Sequence, residues 1–246
     1  MYDFKEKYVV VTGAAKGLGK DIARRFLDDG AAGVAMLDLD EGLLSATVAE
    51  LDSSGDRTLA LVCNVADPDS VTQAFRNVTE RFGRVDILVN NAGITRDALA
   101  HKMTNEQFDL VLKVSLYGTF YCIKEVLPGM RERGYGRIIS MSSIASRGNV
   151  GQANYAAAKA GIIGLTKTLA MESGPKNITV NCLAPSMINT DIIKTIPEKI
   201  LSTMTAAVPL RRVGEPEEVS DVVAFLASDQ ASYISGQCIN ITGGWW

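Results

Sequence analysis

The chain has 246 residues, 47% of them hydrophobic and 22% charged, with a formal net charge of −3. That length and balance fit one globular α/β domain spanning residues 1–246 and exclude a disordered or fibrous chain. The mild acidity argues against nucleic acid or an anionic membrane as the main partner, and no apolar run reaches the roughly 18 residues needed to cross a bilayer.

The opening M-Y-D-F-K-E-K is charged and runs straight into a strand, so no signal peptide and a cytoplasmic location are expected. Residues 8–11 are a short β-branched run, followed by T-G-A-A-K-G-L-G at 12–19 and a helically periodic segment that stops at Gly30. Strand, glycine-rich turn and helix form a phosphate-binding unit. Glycines let the backbone approach a pyrophosphate, and the new helix points free N–H groups at its charge. The spacing, Gly13, Gly17 and Gly19, is G-x-x-x-G-x-G and not the G-x-G-x-x-G fingerprint.

A second strand at 33–37 delivers Asp38 about 20 residues beyond the turn, where a carboxylate accepts from both ribose hydroxyls of an adenosine and repels a 2′-phosphate. Asp38 therefore points to NAD(H) over NADP(H). The competing reading makes it a cap for a helix at 41–49, a role open to Asp40 as well. Lys16, in the turn, can pair with a phosphate and pulls the other way.

Strands and helices continue to alternate. A strand at 59–62 precedes Asn64 and Val65; Asp67-Pro68 opens a helix running to Gly83. Further strands are expected at 85–89 (ending in N-N-A-G, 90–93), 137–141, 178–183 (ending at Pro185) and 237–241, with helices at 154–173 and 215–227. Seven apolar strands separated by helices predict a doubly wound, Rossmann-type parallel sheet covered on both faces. Residues 186–212 read as a lid over the crevice. The crevice lies beyond the carboxyl ends of the strands, where these polar motifs converge.

Tyr155 and Lys159 stand four apart in an alanine-rich helix, so both side chains leave one face. An ammonium beside a phenol favours phenolate and makes Tyr155 a candidate acid/base. The four cysteines show no C-x-x-C pair and there is one histidine, His101, so no metal site is expected and the thiols read as buried in a reducing compartment. His101 reads as a surface residue, and Met103, Met130, Met141 and Met204 as packing.

T-G-A-A-K-G-L-G, N-N-A-G, Ser142, Y-A-A-A-K at 155–159 and N-C-L-A-P at 181–185 together identify a resemblance to the short-chain dehydrogenase/reductase family, covering 7–244. G-I-T-R-D-A-L, G-Q-A-N-Y and the tail G-Q-C-I-N-I-T-G-G are most similar to bacterial 3-oxoacyl-thioester reductases. The resemblance implies cofactor contacts from Gly13, Lys16, Gly17, Leu18 and Gly19, from Asp38, and from Asn64 and Val65 near adenine. It adds Asn91, Ala92 and Gly93 beside the ribose, and Pro185, Ile188 and Thr190 towards the nicotinamide. It implies that Ser142 donates to the substrate oxygen, Tyr155 transfers the proton, and Lys159 lowers the tyrosine pKa and holds the nicotinamide ribose. Ser143 competes with Ser142, but the thirteen-residue gap to Tyr155 matches the family pattern for Ser142. Gln152 and Arg96 are candidate substrate contacts, and Arg133 and Lys176 match positions that dock an acyl carrier protein.

Three positions depart from the family. Ser115, in V-S-L-Y-G-T-F, stands where asparagine is usual as the fourth catalytic residue; there a main-chain carbonyl helps hold a water and the amide supports a helix distortion. Asn64 replaces an aspartate, and Ser186 a glycine. Trp245-Trp246 is unusual and reads as packed in a subunit interface or a neighbour's pocket. A homotetramer using 104–133 and 154–173 is implied. The expected activity is NAD(H)-linked hydride transfer to a 3-oxoacyl thioester. Another secondary alcohol or ketone (steroid, aryl carbinol, polyol) is the alternative, and a catalytically weak nucleotide-binding subunit a third reading.

Overall fold

The computed structural model describes residues 2–190, 193 and 198–245. Its centre is a seven-stranded parallel sheet in the order β3-β2-β1-β4-β5-β6-β7. The strands are β1 (Tyr8–Thr12), β2 (Gly33–Asp38), β3 (Thr58–Val62), β4 (Ile87–Asn90), β5 (Gly136–Met141), β6 (Ile178–Pro185) and β7 (Cys238–Ile241). Each lies within a few residues of its expected place. The order reverses between β1 and β4, which opens the crevice at their carboxyl ends.

Side-chain alternation sorts the apolar residues onto two faces. Val9, Val11, Val34, Met36, Ile87, Val89 and Leu183 pack on one face against α1 (Gly17–Asp28) and a late helix, α8 (Pro216–Ala227). Val10, Ala35, Leu37, Leu88, Ile138 and Val180 pack on the other against α3 (Pro68–Phe82), α5 (Gly118–Arg133) and α6 (Ala153–Ser173). Burial on both sides explains why the strands are continuous apolar runs.

Local chemistry sets the helix ends. Asp40 accepts from the Leu43 N–H at 3.0 Å and caps α2 (Glu41–Leu51), so the capping role weighed for Asp38 belongs to Asp40. Asp67 accepts from Asp69 N–H and Pro68 occupies the first turn of α3, which stops at Gly83 with φ 78°. Thr104 and Gln107 form a reciprocal capping box at α4 (Asn105–Leu112). Between α4 and α5, Lys113–Tyr117 is a π-helical turn centred on Ser115, the distortion that the resemblance implied. The cap of α7 (Glu198–Ala207) falls among residues that are not described.

The third apolar cluster sits away from the sheet. Met187, Ile193 and Val208 are its buried members, with Leu201, Met204, Val213 and Trp245 packed against them. Within its own chain Trp245 packs, partly buried, on this cluster; Trp246 lies outside the described residues. The lid expectation at 186–212 likewise includes undescribed positions.

Gly33 packs where a side chain cannot. An added Cβ would meet the ring of Phe82 at 2.8 Å and of Tyr8 at 3.0 Å, two rings stacked at 5.1 Å. Gly33→Ala should therefore destabilise the chain by about 1–3 kcal/mol in urea melts, as overpacking does; an unchanged midpoint would mean that the rings part freely.

Candidate active site

The glycine turn is shaped by closeness to the end of β4. Gly13 and Gly17 have φ of +64° and +54°, and a Cβ on Gly19 would lie 2.0 Å from the Gly13 carbonyl oxygen. The Asn91 amide donates to the carbonyls of Thr12 and Gly13, each at 3.0 Å, while Thr12 Oγ1 accepts from the N–H groups of Asn91 and Ala92. Asn91 therefore holds the turn; its carboxamide does not face the crevice. What remains open is main chain at the start of α1, a cradle that fits a dinucleotide pyrophosphate. Lys16, the residue before that helix, is exposed.

Asp38 ends β2 beside the turn. One carboxylate oxygen accepts from Ala15 N–H at 3.0 Å and the other from Asp40 N–H at 3.2 Å. A carboxylate offers about four acceptor sites, so ribose hydroxyls can still be bound. Leu39, which follows, is 68% exposed and carries no charge. Asn64 is exposed and accepts from Ala66 N–H, while Val65 is buried against Gly118. Across the crevice, Pro185 ends β6, Ile188 is buried, and the Thr190 methyl would lie 3.9 Å from a Cβ placed on Gly17. Cofactor candidates on both walls are thus brought together.

Ser142, Tyr155 and Lys159 meet at the carboxyl end of β5. Lys159 is 3% exposed; its Nζ donates to the Met141 carbonyl at 2.5 Å. In the opposite direction, Ser142 Oγ donates to the Lys159 carbonyl at 2.8 Å. These two bonds fasten α6 to β5. Lys159 Nζ lies 5.4 Å from the centre of the Tyr155 ring. Burial brings the lysine down to about 8.

The phenol behaves differently from expectation. Burial pushes Tyr155 above its ordinary value, a hydrogen bond with the Ser143 side chain opposes the rise, and the Asp97 carboxylate adds to it. Lys159 is not among the causes of that shift: its Nζ donates to the Met141 carbonyl and stands 5.4 Å from the ring centre. Ser143, not Ser142, is the hydroxyl that meets the phenol. Gln152 donates to Asp97 at 3.0 Å and accepts from Asn149, so its amide braces the mouth. Arg96 is exposed and donates to the neighbouring Thr95 carbonyl; His101 is exposed as well.

One residue of the site, Asn154, is not among those singled out from the sequence. Asn154, fully buried, donates to the carbonyls of Arg96 (2.9 Å) and Gln107 (3.1 Å) and accepts from Tyr155 N–H at 2.7 Å. It ties the 94–103 loop and α4 to the residue bearing the phenol, and its position directly before Tyr155 was the available signal. Ser115, placed at the site by the resemblance, has its Oγ fully buried with no hydrogen-bond partner. A Cβ on Gly93 would lie 3.4 Å from this oxygen and 3.4 Å from Lys159 Nζ. Two polar groups thus face one small space. The Ser115 carbonyl accepts from Thr119 Oγ1 at 2.8 Å.

Arg133 and Lys176 stand elsewhere. Arg133 ends α5 and donates to the Val85 carbonyl at 2.6 Å; Lys176 is exposed just before β6. Both are at the amino ends of the strands, opposite the crevice. Among the described residues no group of His, Cys, Asp and Glu could hold a metal, and no helix is long and apolar enough to cross a membrane.

The family described as Enoyl-(Acyl carrier protein) reductase matches residues 13–246. The chain is 44% identical over 239 residues to the 3-oxoacyl-acyl-carrier-protein reductase FabG of Thermotoga maritima, covering 97% of each chain. It is 41% identical to the proteins of the same name from Staphylococcus epidermidis (97% of this chain, 98% of the relative) and Vibrio cholerae (97% and 96%).

Lysine burial generates a stability test. An unfolded lysine keeps its proton to about pH 10.4, whereas folded Lys159 loses it near 8, so across that window the unfolded state binds more protons and folded stability rises with pH. Relative to Lys159→Met, the wild type should gain up to about 3 kcal/mol between pH 7.5 and 10 in urea melts. A gap that stays constant would show that Nζ is solvated.

Proposed function

The chain belongs to the short-chain dehydrogenase/reductase family, and from that premise we propose that it reduces 3-oxoacyl thioesters with NADH, the acyl group being borne on an acyl carrier protein or coenzyme A. It is an oxidoreductase of carbonyl or CH–OH groups that uses a nicotinamide cofactor. The observation that carries the finer reading is the cluster of Tyr155, Lys159, Ser142 and Ser143 at the carboxyl end of β5. It stands in a chain matched along 97% of its length by 3-oxoacyl reductases.

The glycine turn, Asp38, Val65, Ile188 and Thr190 would hold the dinucleotide. Bound there, the nicotinamide supplies hydride to the carbonyl carbon or takes it from the alcohol. The residues of this chain manage the oxygen. Ser142, on rotating from the Lys159 carbonyl, donates to the substrate oxygen. Tyr155, kept protonated by burial, gives that oxygen its proton. Ser143 hydrogen-bonds the phenol and favours the phenolate that remains. Lys159, still largely cationic at neutral pH, would turn its ammonium from the Met141 carbonyl to the phenolate, pass it a proton and be reprotonated from the space shared with Ser115 Oγ. A site that donates to an oxygen suits a carbonyl better than a carbon–carbon double bond, which needs its proton at carbon.

NADH is favoured because the Asp38 carboxylate would sit against a 2′-phosphate while the adjoining position is an uncharged leucine. Arg133 and Lys176, at the amino ends of the strands, would meet a carrier protein on its flank and not at the crevice itself. An assembly of four copies through the α4–α5 face is supported by Leu110, Tyr117 and Phe120, each at least 40% exposed.

With acetoacetyl thioester and NADH, the protein should show turnover that Tyr155→Phe lowers by about 10³-fold or more while nucleotide binding persists. Turnover only with a crotonyl thioester, or only with steroid or polyol substrates, would overturn the substrate reading; nucleotide binding without hydride transfer in a single turnover would make the chain an assembly subunit. The reductive kcat/KM should fall as pH rises through about 8, where Lys159 loses its charge. Asp38→Ser should shift the NADH/NADPH ratio of kcat/KM towards NADPH by about tenfold, about 1.4 kcal/mol; a wild type that prefers NADPH would sink the cofactor assignment.

A further inference from the structure

Four cysteines are present, and their surroundings differ. Cys63 and Cys122 are buried against the α3 and α5 face, and burial pushes both thiols up. Cys182 and Cys238 are arranged in another way. They are register partners on the parallel strands β6 and β7. In-register residues of neighbouring parallel strands project to the same face, and the strand spacing of about 4.8 Å falls inside the Cα window that a disulfide requires. Cys182 is wholly buried; Cys238, on the edge strand, is partly buried.

The two sulfurs share a hydrogen bond, which with the Arg147 and Lys167 cations draws the Cys238 thiol down. The Cys182 thiol is pushed up, by the same hydrogen bond and by burial. Thiolate character, partial access and a second sulfur in contact are what make a cysteine pair oxidisable. The pair also lies next to the reacting groups. Cys182 is the register partner of Ser140, two residues before Ser142, and it is near enough to Lys159 to act on its charge.

We propose that Cys182 and Cys238 are a redox-modifiable pair that a hydroperoxide converts reversibly into a disulfide joining β6 to β7 beside Lys159. In the first step the Cys238 sulfur attacks the terminal oxygen of the hydroperoxide. The O–O bond breaks, the Cys238 proton leaves with the departing oxygen as alcohol or water, and Cys238 becomes a sulfenic acid. In the second, the Cys182 sulfur attacks the Cys238 sulfur, the S–S bond forms, and the hydroxide leaves as water with the Cys182 proton. Two thiols are oxidised by two electrons and one peroxide is reduced. A dithiol reverses the product by exchange at Cys238, the accessible sulfur.

The full chain is treated with hydrogen peroxide, alkylated, digested without reduction and weighed. The expected product is one intramolecular link between Cys182 and Cys238, a loss of about 2 Da that dithiothreitol reverses and that Cys238→Ser abolishes. Linkage through Cys63 or Cys122, linkage of two chains through Cys238, or oxygen added to Cys238 without a link would overturn the proposal. This readout needs no substrate, so it stands or falls apart from the thioester reading. Turnover in the acetoacetyl assay should fall with the link by about tenfold and recover with it, because small displacements at reacting groups are costly. A complete link with unchanged turnover would overturn the coupling to Lys159.

Discussion

The site depends on a reciprocal pair of hydrogen bonds between β5 and α6. Lys159 reaches back to the Met141 carbonyl while Ser142 reaches forward to the Lys159 carbonyl. Each bond satisfies a group that burial would otherwise leave costly. Together they fix the phase of α6 about its axis, and with it the direction in which Tyr155 points. A buried ammonium is an expense in stability, and the neighbouring sheet end is where this fold tolerates it. That ammonium has a carbonyl partner at the strand terminus, and a Cβ on Gly93 would lie 3.4 Å from it and from Ser115 Oγ.

A second fastening joins the cofactor wall to the same frame. Thr12 and Asn91 exchange hydrogen bonds across the ends of β1 and β4, where the strand order reverses. The glycine turn is thereby pressed so close to its neighbour that no side chain fits at Gly19. Asn154 extends the frame outward, linking the 94–103 loop and α4 to the backbone of Tyr155. The side chains of Thr12, Asn91 and Asn154 thus tie separate loop ends into one rim around the crevice.

The π-helical turn at Lys113–Tyr117 explains why Ser115 matters although it touches none of the three reacting residues by a direct hydrogen bond. Widening the helix by one residue leaves a hydroxyl inside without a partner. Such turns recur at functional sites because they free backbone and side-chain groups that a regular helix would tie up. At the opposite edge, the tail behaves as part of the lid support. Leu210 N–H donates to the Gly243 carbonyl, and positive φ at Gly243 and Gly244 brings Trp245 onto the cluster of Met187, Ile193 and Val208.

Periodicity and turn chemistry, both local, determined much of this protein in the sequence alone. Seven apolar runs, Asp67-Pro68, Gly83 and the glycines at 13, 17 and 19 carry their meaning within a few residues, so strands, helix ends and the phosphate cradle were legible without coordinates. The spacing of Tyr155 and Lys159 likewise set their common helix face. Pairings between distant segments were not legible. That Ser143 meets the phenol, that Lys159 turns to Met141, that Asn91 faces the turn, that Arg133 stands at the amino ends of the strands and that Cys182 aligns with Cys238 were decided by the tertiary structure. The reason is physical: a side chain's partner and its desolvation depend on which strands become neighbours and in what register, and those are properties of the packed sheet and not of any one stretch of chain.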